Sequence, residues 1–202
     1  MAKLYFSYST MNAGKSTMLL QASYNYLERG MRTLLFTSSL YAEGDAGLIE
    51  SRIGISAAAE MFGFDDDLYQ RVNDHLQEAK VDCVFVDEAQ FLTAEQVWQL
   101  ARVSDRLDVP VMCFGLRTDF QGKLFPGSSE LLAIADELRD IRTICHCGRK
   151  ATMVVRQNAD GGVITEGNQV SIEKSVYVSL CRRHWEEEIG RWPPKGPRLH
   201  DH

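Results

Sequence analysis

No run of the 202 residues is apolar for long enough to span a bilayer, and the N-terminus lacks the layout of a secretory signal. A cytosolic chain that engages no membrane is the expectation. A basic excess is missing too: 22 Lys and Arg stand against 28 Asp and Glu, a net charge of −6. No global positive field is present to drive nonspecific binding, so no nucleic-acid partner is expected. Cysteine is sparse and odd in number, five in all at 83, 113, 145, 147 and 181. That spacing is unlike the dense framework of a small secreted scaffold, and thiols or metal ligands are expected rather than disulfides. Internal repeats and low-complexity tracts are also absent. What remains is a composition close to the globular average, at a length that suits one α/β domain with or without a small appendage.

The chain has two textures. Residues 3–8 read as a strand, Lys15 to about Arg29 as a helix stopped by Gly30, and 32–37 as a second strand. Residues 66–79 are helical, 81–88 form a buried strand by their continuous apolar run, and Thr93 with Gln96 makes a capping box before a helix reaching about Leu107. A further buried strand over 109–116, a short helix over 128–138 and a strand over 141–145 complete an alternation that predicts a parallel sheet covered on both faces. Residues 1–144 are therefore expected to form one α/β domain. From Cys145 to 192 the rhythm is that of short strands, with a turn at Asn158 to Gly162 and a helix from Arg182 to about Arg191, before a frayed tail over 193–202. Residues 38–57 are the one long stretch of the first zone without a clear element.

The first strand runs into Ser9-Thr10-Met11-Asn12-Ala13-Gly14-Lys15-Ser16, which matches G-x-x-x-x-G-K-S/T except that Ser9 stands at the first glycine position. A helix N-terminus presents unpaired N–H groups and a partial positive charge, so this is a candidate ATP phosphate site. Gly14 permits close backbone approach, Lys15 supplies charge to the outer phosphates, and the Ser16 hydroxyl is placed for Mg²⁺. The strand ending in Asp87-Glu88-Ala89-Gln90-Phe91 reaches the same sheet edge, and residues 87–90 are assigned to the phosphate side. Asp87 is the candidate partner of Mg²⁺, and Glu88 the candidate general base.

A nucleic-acid-stimulated ATPase and a kinase share this pair of motifs. In the ATPase the glutamate activates water; in the kinase it activates a substrate hydroxyl. Helicases of that type need a second motor domain, and residues 145–202 have neither its βα alternation nor a basic, aromatic-laced surface. Cys145 and Cys147 form a C-x-C pair, and Cys181 with His184 a C-x-x-H pair; four such ligands suit a closed tetrahedral zinc site of structural kind. His146 competes as a ligand. Cys83 and Cys113 sit in predicted core strands, where cysteine acts as a small hydrophobe.

The phosphate loop at 9–16, "VDEAQF" (86–91), "GLRTDF" (115–120), "CHCGRKA" (145–151) and "YVSLCRRH" (177–184), in that order, resemble the cytosolic, zinc-containing thymidine kinases of bacteria and animal cells, over nearly the whole length. The resemblance implies a RecA-like phosphate-loop α/β fold with a small β-rich zinc-binding lid. It implies transfer of the ATP γ-phosphate to the 5′-hydroxyl of thymidine or deoxyuridine, a homotetramer, and feedback inhibition by dTTP. It makes Glu88 the base. Phe91, Leu116, Phe120 and Phe125 match the apolar nucleoside pocket, Tyr177 a tyrosine that contacts the nucleoside, and residues 165–176, Val170 among them, a loop that binds thymine largely through main-chain groups. Read without the resemblance, each of these phenylalanines is equally well an ordinary core residue. Arg52 and Arg149 are the candidates for a transition-state arginine. The chain departs from the family pattern twice: Tyr41-Ala42-Glu43 stands where Asp-x-Arg is usual, and Ile172-Glu173 where Gly-Gly is usual.

Overall fold

In the computed structural model, which describes residues 1–41, 47–169 and 176–191, six strands make one fully parallel sheet. They are β1 (Leu4–Ser9), β2 (Thr33–Ser38), β5 (Glu60–Phe62), β6 (Cys83–Val86), β7 (Val111–Leu116) and β8 (Glu137–Asp140), in the order β5-β2-β6-β7-β1-β8. Between β2 and β5 a small hairpin pairs β3 (Leu48–Glu50) with β4 (Ser56–Ala58). All but its last residue, Ala58, lies inside the stretch 38–57 whose sequence shows no clear element. Strands of three residues each leave too short a pattern to read.

Alternate residues of the sheet feed two cores. Leu4, Phe6, Phe36, Val84 and Val86 pack with α2 (Leu68–Glu78), α3 (Ala94–Leu107) and α4 (Pro126–Ile134) on one face. Leu35, Cys83, Phe85 and Phe114 pack with Leu19 and Leu20 of α1 (Lys15–Leu27) and with Ile49 on the other. The expectation of a parallel sheet covered on both faces holds. Helix α3 starts at the expected capping box: Thr93 Oγ1 accepts from Gln96 N–H, and Gln96 Oε1 from Thr93 N–H. Such a cap is worth about 1 kcal/mol. Cys83 and Cys113 are fully buried, and burial pushes the Cys83 thiol up to about 12 and Cys113 in the same direction, so both serve as packing rather than as nucleophiles.

Two sequence expectations are corrected at the end of this domain. The helix expected over 128–138 stops at Ile134, and Glu137–Asp140 is the sixth strand. Residues 135–138 continue a helical pattern, yet the free edge of β1 captures them: Asp136 N–H donates to Leu4 C=O, and Asp136 Oδ2 accepts from Leu4 N–H. Ladder pairing outweighs local propensity here. The strand expected over 141–145 therefore does not join the sheet; β9 (Thr143–Ile144) pairs antiparallel with β10 (Lys150–Ala151).

The remaining β-rich region has β11 (Met153–Gln157) between β12 (Val163–Ile164) and β13 (Val176–Leu180), followed by α5 (Arg182–Glu188), which is shorter than expected. Trp185 fastens this region to the sheet domain, its Nε1–H directed at the carbonyls of Phe120 and Val154, each at 3.1 Å. Val170, Ala42-Glu43, Ile172-Glu173 and the tail over 193–202 lie outside the described residues. Tyr41 closes a 3₁₀ turn over Ser39–Tyr41.

Candidate active site

Parallel strands send their carboxyl ends to one edge, so the segments that follow β1, β6 and β7 converge there. After β1 the chain turns through Asn12 (φ +63°) and Gly14 (φ +82°) into α1, whose first turn has no side-chain cap. Its N–H groups are thus left for an anion. Lys15 is buried, with Nζ donating to Thr10 C=O at 3.1 Å. Burial lowers its pKa, and the charges of Glu88 and Asp87 oppose that shift. Ser9, at the first glycine position of the motif, is buried and bonds Thr10 C=O at 2.8 Å, so its side chain is accommodated within the loop.

A cleft of about 390 Å³ follows this loop, lined by residues 11–16, by Glu88 and by Glu50 to Ile53 of the β3–β4 turn. Arg52 therefore lines this cleft, whereas Arg149 is exposed in the β9–β10 hairpin and lines neither this cleft nor its neighbour. Asp87 lies beneath the cleft, and burial followed by the charge of Glu88 raises its carboxyl to about 6, against a hydrogen bond from Ser16 that lowers it. Two crowded carboxylates and a hydroxyl make an oxygen donor set with excess negative charge, which fits a hard divalent cation.

Glu88 is the residue whose backbone is out of the ordinary. It adopts φ +53°, a conformation that costs a non-glycine residue about 1 kcal/mol or more and is found where surroundings enforce it. The enforcement is visible in Gln90, which is 1 % exposed. Its Oε1 accepts from Leu116 N–H at 2.9 Å, which obliges its amide NH₂ to face Glu88, where it donates to Oε2. Two glycines let the turn after Glu88 sit this close: a Cβ on Gly115 would meet Gln90 Oε1 at 2.8 Å, and one on Gly127 the Ala89 carbonyl at 2.5 Å. Ala89 lies in the core, and Gln90 lines the second cavity rather than the phosphate cleft.

That second cavity, about 260 Å³, lies on the other side of Glu88 and shares Met11, Glu88 and Leu116 with the first. Phe91, Leu116, Phe120, Phe125 and Tyr177 all line it, Phe91 and Phe125 meeting edge to face at 5.8 Å. Apolar walls with a few polar groups suit a small planar ligand. Thr118, Asp119, Val154 and Gln169 also line it; sequence reasoning singled out none of them, although Gln169 lies in the 165–176 loop matched to the base. Asp119 sits inside the "GLRTDF" stretch, but burial of a carboxylate at 2 % exposure leaves no local sequence signal. The β-rich region closes this side: Ser179 Oγ donates to Met11 C=O at 2.7 Å and Asn12 Nδ2 to Tyr177 C=O at 3.5 Å.

Cys145, Cys147, Cys181 and His184 place their donor atoms within 4.8 Å of one another. Cys147 and Cys181 sulfurs are 3.9 Å apart, and His184 Nδ1 lies 3.3 and 3.5 Å from the sulfurs of Cys145 and Cys181. A tetrahedral zinc with bonds of about 2.3 Å to sulfur and about 2.0 Å to nitrogen needs edges of about 3.8 and about 3.5 Å, so the set fits. Burial pushes the Cys145 thiol up, but the N–H groups of Cys147 and Cys181, then His184, outweigh it and bring it to about 6. His146 stays outside the quartet and stacks on His184 at 4.2 Å.

A thymidine kinase family model matches residues 2–185. The chain is 70% identical over 194 residues to the thymidine kinase of Mesorhizobium japonicum, covering 96% of each chain. It is 64% identical over 197 residues to that of Ruegeria pomeroyi, covering 97% of this chain and all of the relative. With the thymidine kinase of Haemophilus influenzae it shares 55% identity over 192 residues, 95% of this chain and all of the other.

Proposed function

The chain belongs to the thymidine kinase family, and from that premise we propose that it transfers the γ-phosphate of ATP to the 5′-hydroxyl of thymidine or deoxyuridine, giving the 5′-monophosphate and ADP. The observation that carries the reading is the pair of cavities, one following the Gly14-Lys15-Ser16 loop and edged by Glu50 to Ile53, one walled by Phe91, Phe120 and Phe125, that meet at Glu88. An ATPase needs only the first. In this geometry the nucleoside lies among Phe91, Phe120 and Phe125 with its 5′-oxygen toward Glu88, which accepts the hydroxyl proton as the oxygen attacks the γ-phosphorus. Lys15 and the N–H groups of residues 14–16 hold the triphosphate, and Arg52 approaches it from the β3–β4 turn. Ser16 and Asp87 would hold Mg²⁺, which supplies charge neutralisation to the phosphate oxygens. Zinc at Cys145, Cys147, Cys181 and His184 would be structural, since it lies on the stapled module and phosphoryl transfer has its parts elsewhere.

On family grounds the same proposal includes a cytosolic homotetramer inhibited by dTTP; among the described residues, no helix is long and apolar enough to cross a membrane. ADP formation is expected with thymidine and not with single-stranded DNA or with neither. ADP formed equally in all three cases would overturn the kinase reading.

Gln90 acts through Glu88. Replacing Gln90 with Leu frees the carboxylate to swing and is expected to lower kcat by about 10- to 100-fold with KM for ATP nearly unchanged. Steady-state kinetics on both substrates checks this; equal losses in KM and kcat would point to general damage instead.

A further inference from the structure

The Thr10 carbonyl is held from within the phosphate loop, by Ser9 Oγ at 2.8 Å and Lys15 Nζ at 3.1 Å. The next carbonyl, that of Met11, depends on another part of the chain. Its near donor is Ser179 Oγ at 2.7 Å, 168 positions away in the sequence, while the loop's own Thr10 Oγ1 stands off at 3.5 Å. Ser179 lies on β13 two residues after Tyr177, hence on the same face of the strand, with Val154 opposite it on β11. Tyr177 lines the aromatic cavity and Ser179 reaches the phosphate loop, so one strand face touches both sites.

A trans peptide is planar, with its C=O and N–H pointing in opposite directions. Drawing the Met11 carbonyl toward β13 therefore sends the Asn12 N–H away from β13. Among the described residues none accepts from that N–H. Asn12 lines the phosphate cleft, and its φ of +63° is one that a non-glycine residue keeps where its surroundings enforce it. Those surroundings are again β13, since Asn12 Nδ2 donates to Tyr177 C=O at 3.5 Å. Met11, with Glu88 and Leu116, is shared by both cavities, so the Met11–Asn12 peptide stands at their junction.

We infer that Ser179 is a positioning residue for phosphoryl transfer: by fixing the Met11 carbonyl it aims the spare Asn12 N–H at the phosphoryl group in flight. This rests on the thymidine kinase reading above, in which the γ-phosphate meets the nucleoside oxygen at that junction. A donor set in advance on the oxygens of the transferring group favours the transition state over bound ATP. Without the Ser179 hydroxyl only the long Thr10 bond restrains the peptide, and the donor loses its aim. Lys15 and the N–H groups of residues 14–16 belong to α1 and its start, so the triphosphate still binds. The β-rich region thus completes the phosphate loop as well as closing the aromatic side.

The test compares Ser179→Thr with Ser179→Val, two β-branched variants of one shape in which a methyl replaces the hydroxyl. At saturating substrates the valine is expected to lower kcat by about 10-fold, with KM for ATP and for thymidine within about 2-fold of wild type, while threonine keeps kcat near wild type. A binding measurement separates aim from general damage. Affinity for ADP with aluminium fluoride and thymidine, a mimic of the phosphoryl group in flight, is expected to fall about 10-fold in Ser179→Val, and affinity for ADP alone to stay. Equal kcat in the two variants, or an equal loss of affinity for ADP alone, overturns the inference and leaves the kinase reading standing. Where the valine does not fold, Ser179→Ala carries the same comparison. Wild-type protein without thymidine-dependent ADP formation would take both down.

Discussion

Replacing Glu88 with Gln is expected to lower kcat by about 10²- to 10⁴-fold while ATP and thymidine still bind, the range for losing a positioned general base. The substitution is a narrow one. The new amide keeps the shape of the side chain, and its carbonyl can still accept from Gln90, so the turn held at φ +53° has no reason to relax. What disappears is the basic oxygen at the junction of the two cavities, and with it one of the two carboxylate charges that favour the protonated form of buried Lys15. Bound triphosphate supplies far more negative charge than the one removed, so the effect belongs in kcat rather than in KM for ATP. Pre-steady-state kinetics with both substrates saturating makes the measurement. An unchanged rate would assign proton transfer to another group.

The second large effect is expected at the metal quartet. Purified protein should carry about one zinc per chain, and Cys181→Ser should release it, forfeiting a binding free energy of about 10–16 kcal/mol that otherwise stabilises the fold around it. Cys181 is central to that site, its sulfur 3.9 Å from Cys147 and 3.5 Å from His184 Nδ1. Its loss also loosens Trp185, four residues on, which packs in the same small core as Cys145 and Cys181 and bonds the Phe120 and Val154 carbonyls. Phe120, Val154 and Tyr177 are wall residues of the aromatic cavity, whereas the phosphate loop meets this region through the Ser179–Met11 and Asn12–Tyr177 bonds. KM for thymidine should therefore rise well before KM for ATP does. Metal analysis and the two KM values check it. A zinc-free variant with both KM values intact would return the four ligands to ordinary packing.

The Gly14-Lys15-Ser16 loop, the acidic pair and the two halves of the Cys/His quartet were legible because each is a short stretch of particular residue types at a particular spacing. The aromatic cavity was legible only through family resemblance, since Phe91, Phe120 and Phe125 have nothing in their local sequence to separate a cavity wall from a core. Asp119 and Gln169 were legible only as members of matched stretches, the one in 115–120 and the other in the 165–176 loop, with no role of their own. They lie fifty positions apart, and what distinguishes them is a hydrogen bond between them. The strand Glu137–Asp140 failed in the opposite way, its first two residues reading as helix until the edge of β1 offered them a partner.

By itself the amino-acid sequence determined which groups this protein has to work with and in what local shape. A strand runs through Gly14 and Lys15 into a helix, a buried strand stops at Asp87-Glu88, and a cysteine pair awaits a second pair. These follow from backbone freedom, hydrophobic periodicity and donor chemistry, all of which act over a few residues. Only the tertiary structure decided that Glu88 stands between two cavities rather than at the rim of one, that Gln90 aims it, and that the β-rich region carrying the Cys/His quartet closes the aromatic side. The reason is physical: amide orientation, burial of a carboxylate and the meeting of two clefts are set by groups brought together from β1, β6, β7 and β13, and no local pattern encodes the distance between them.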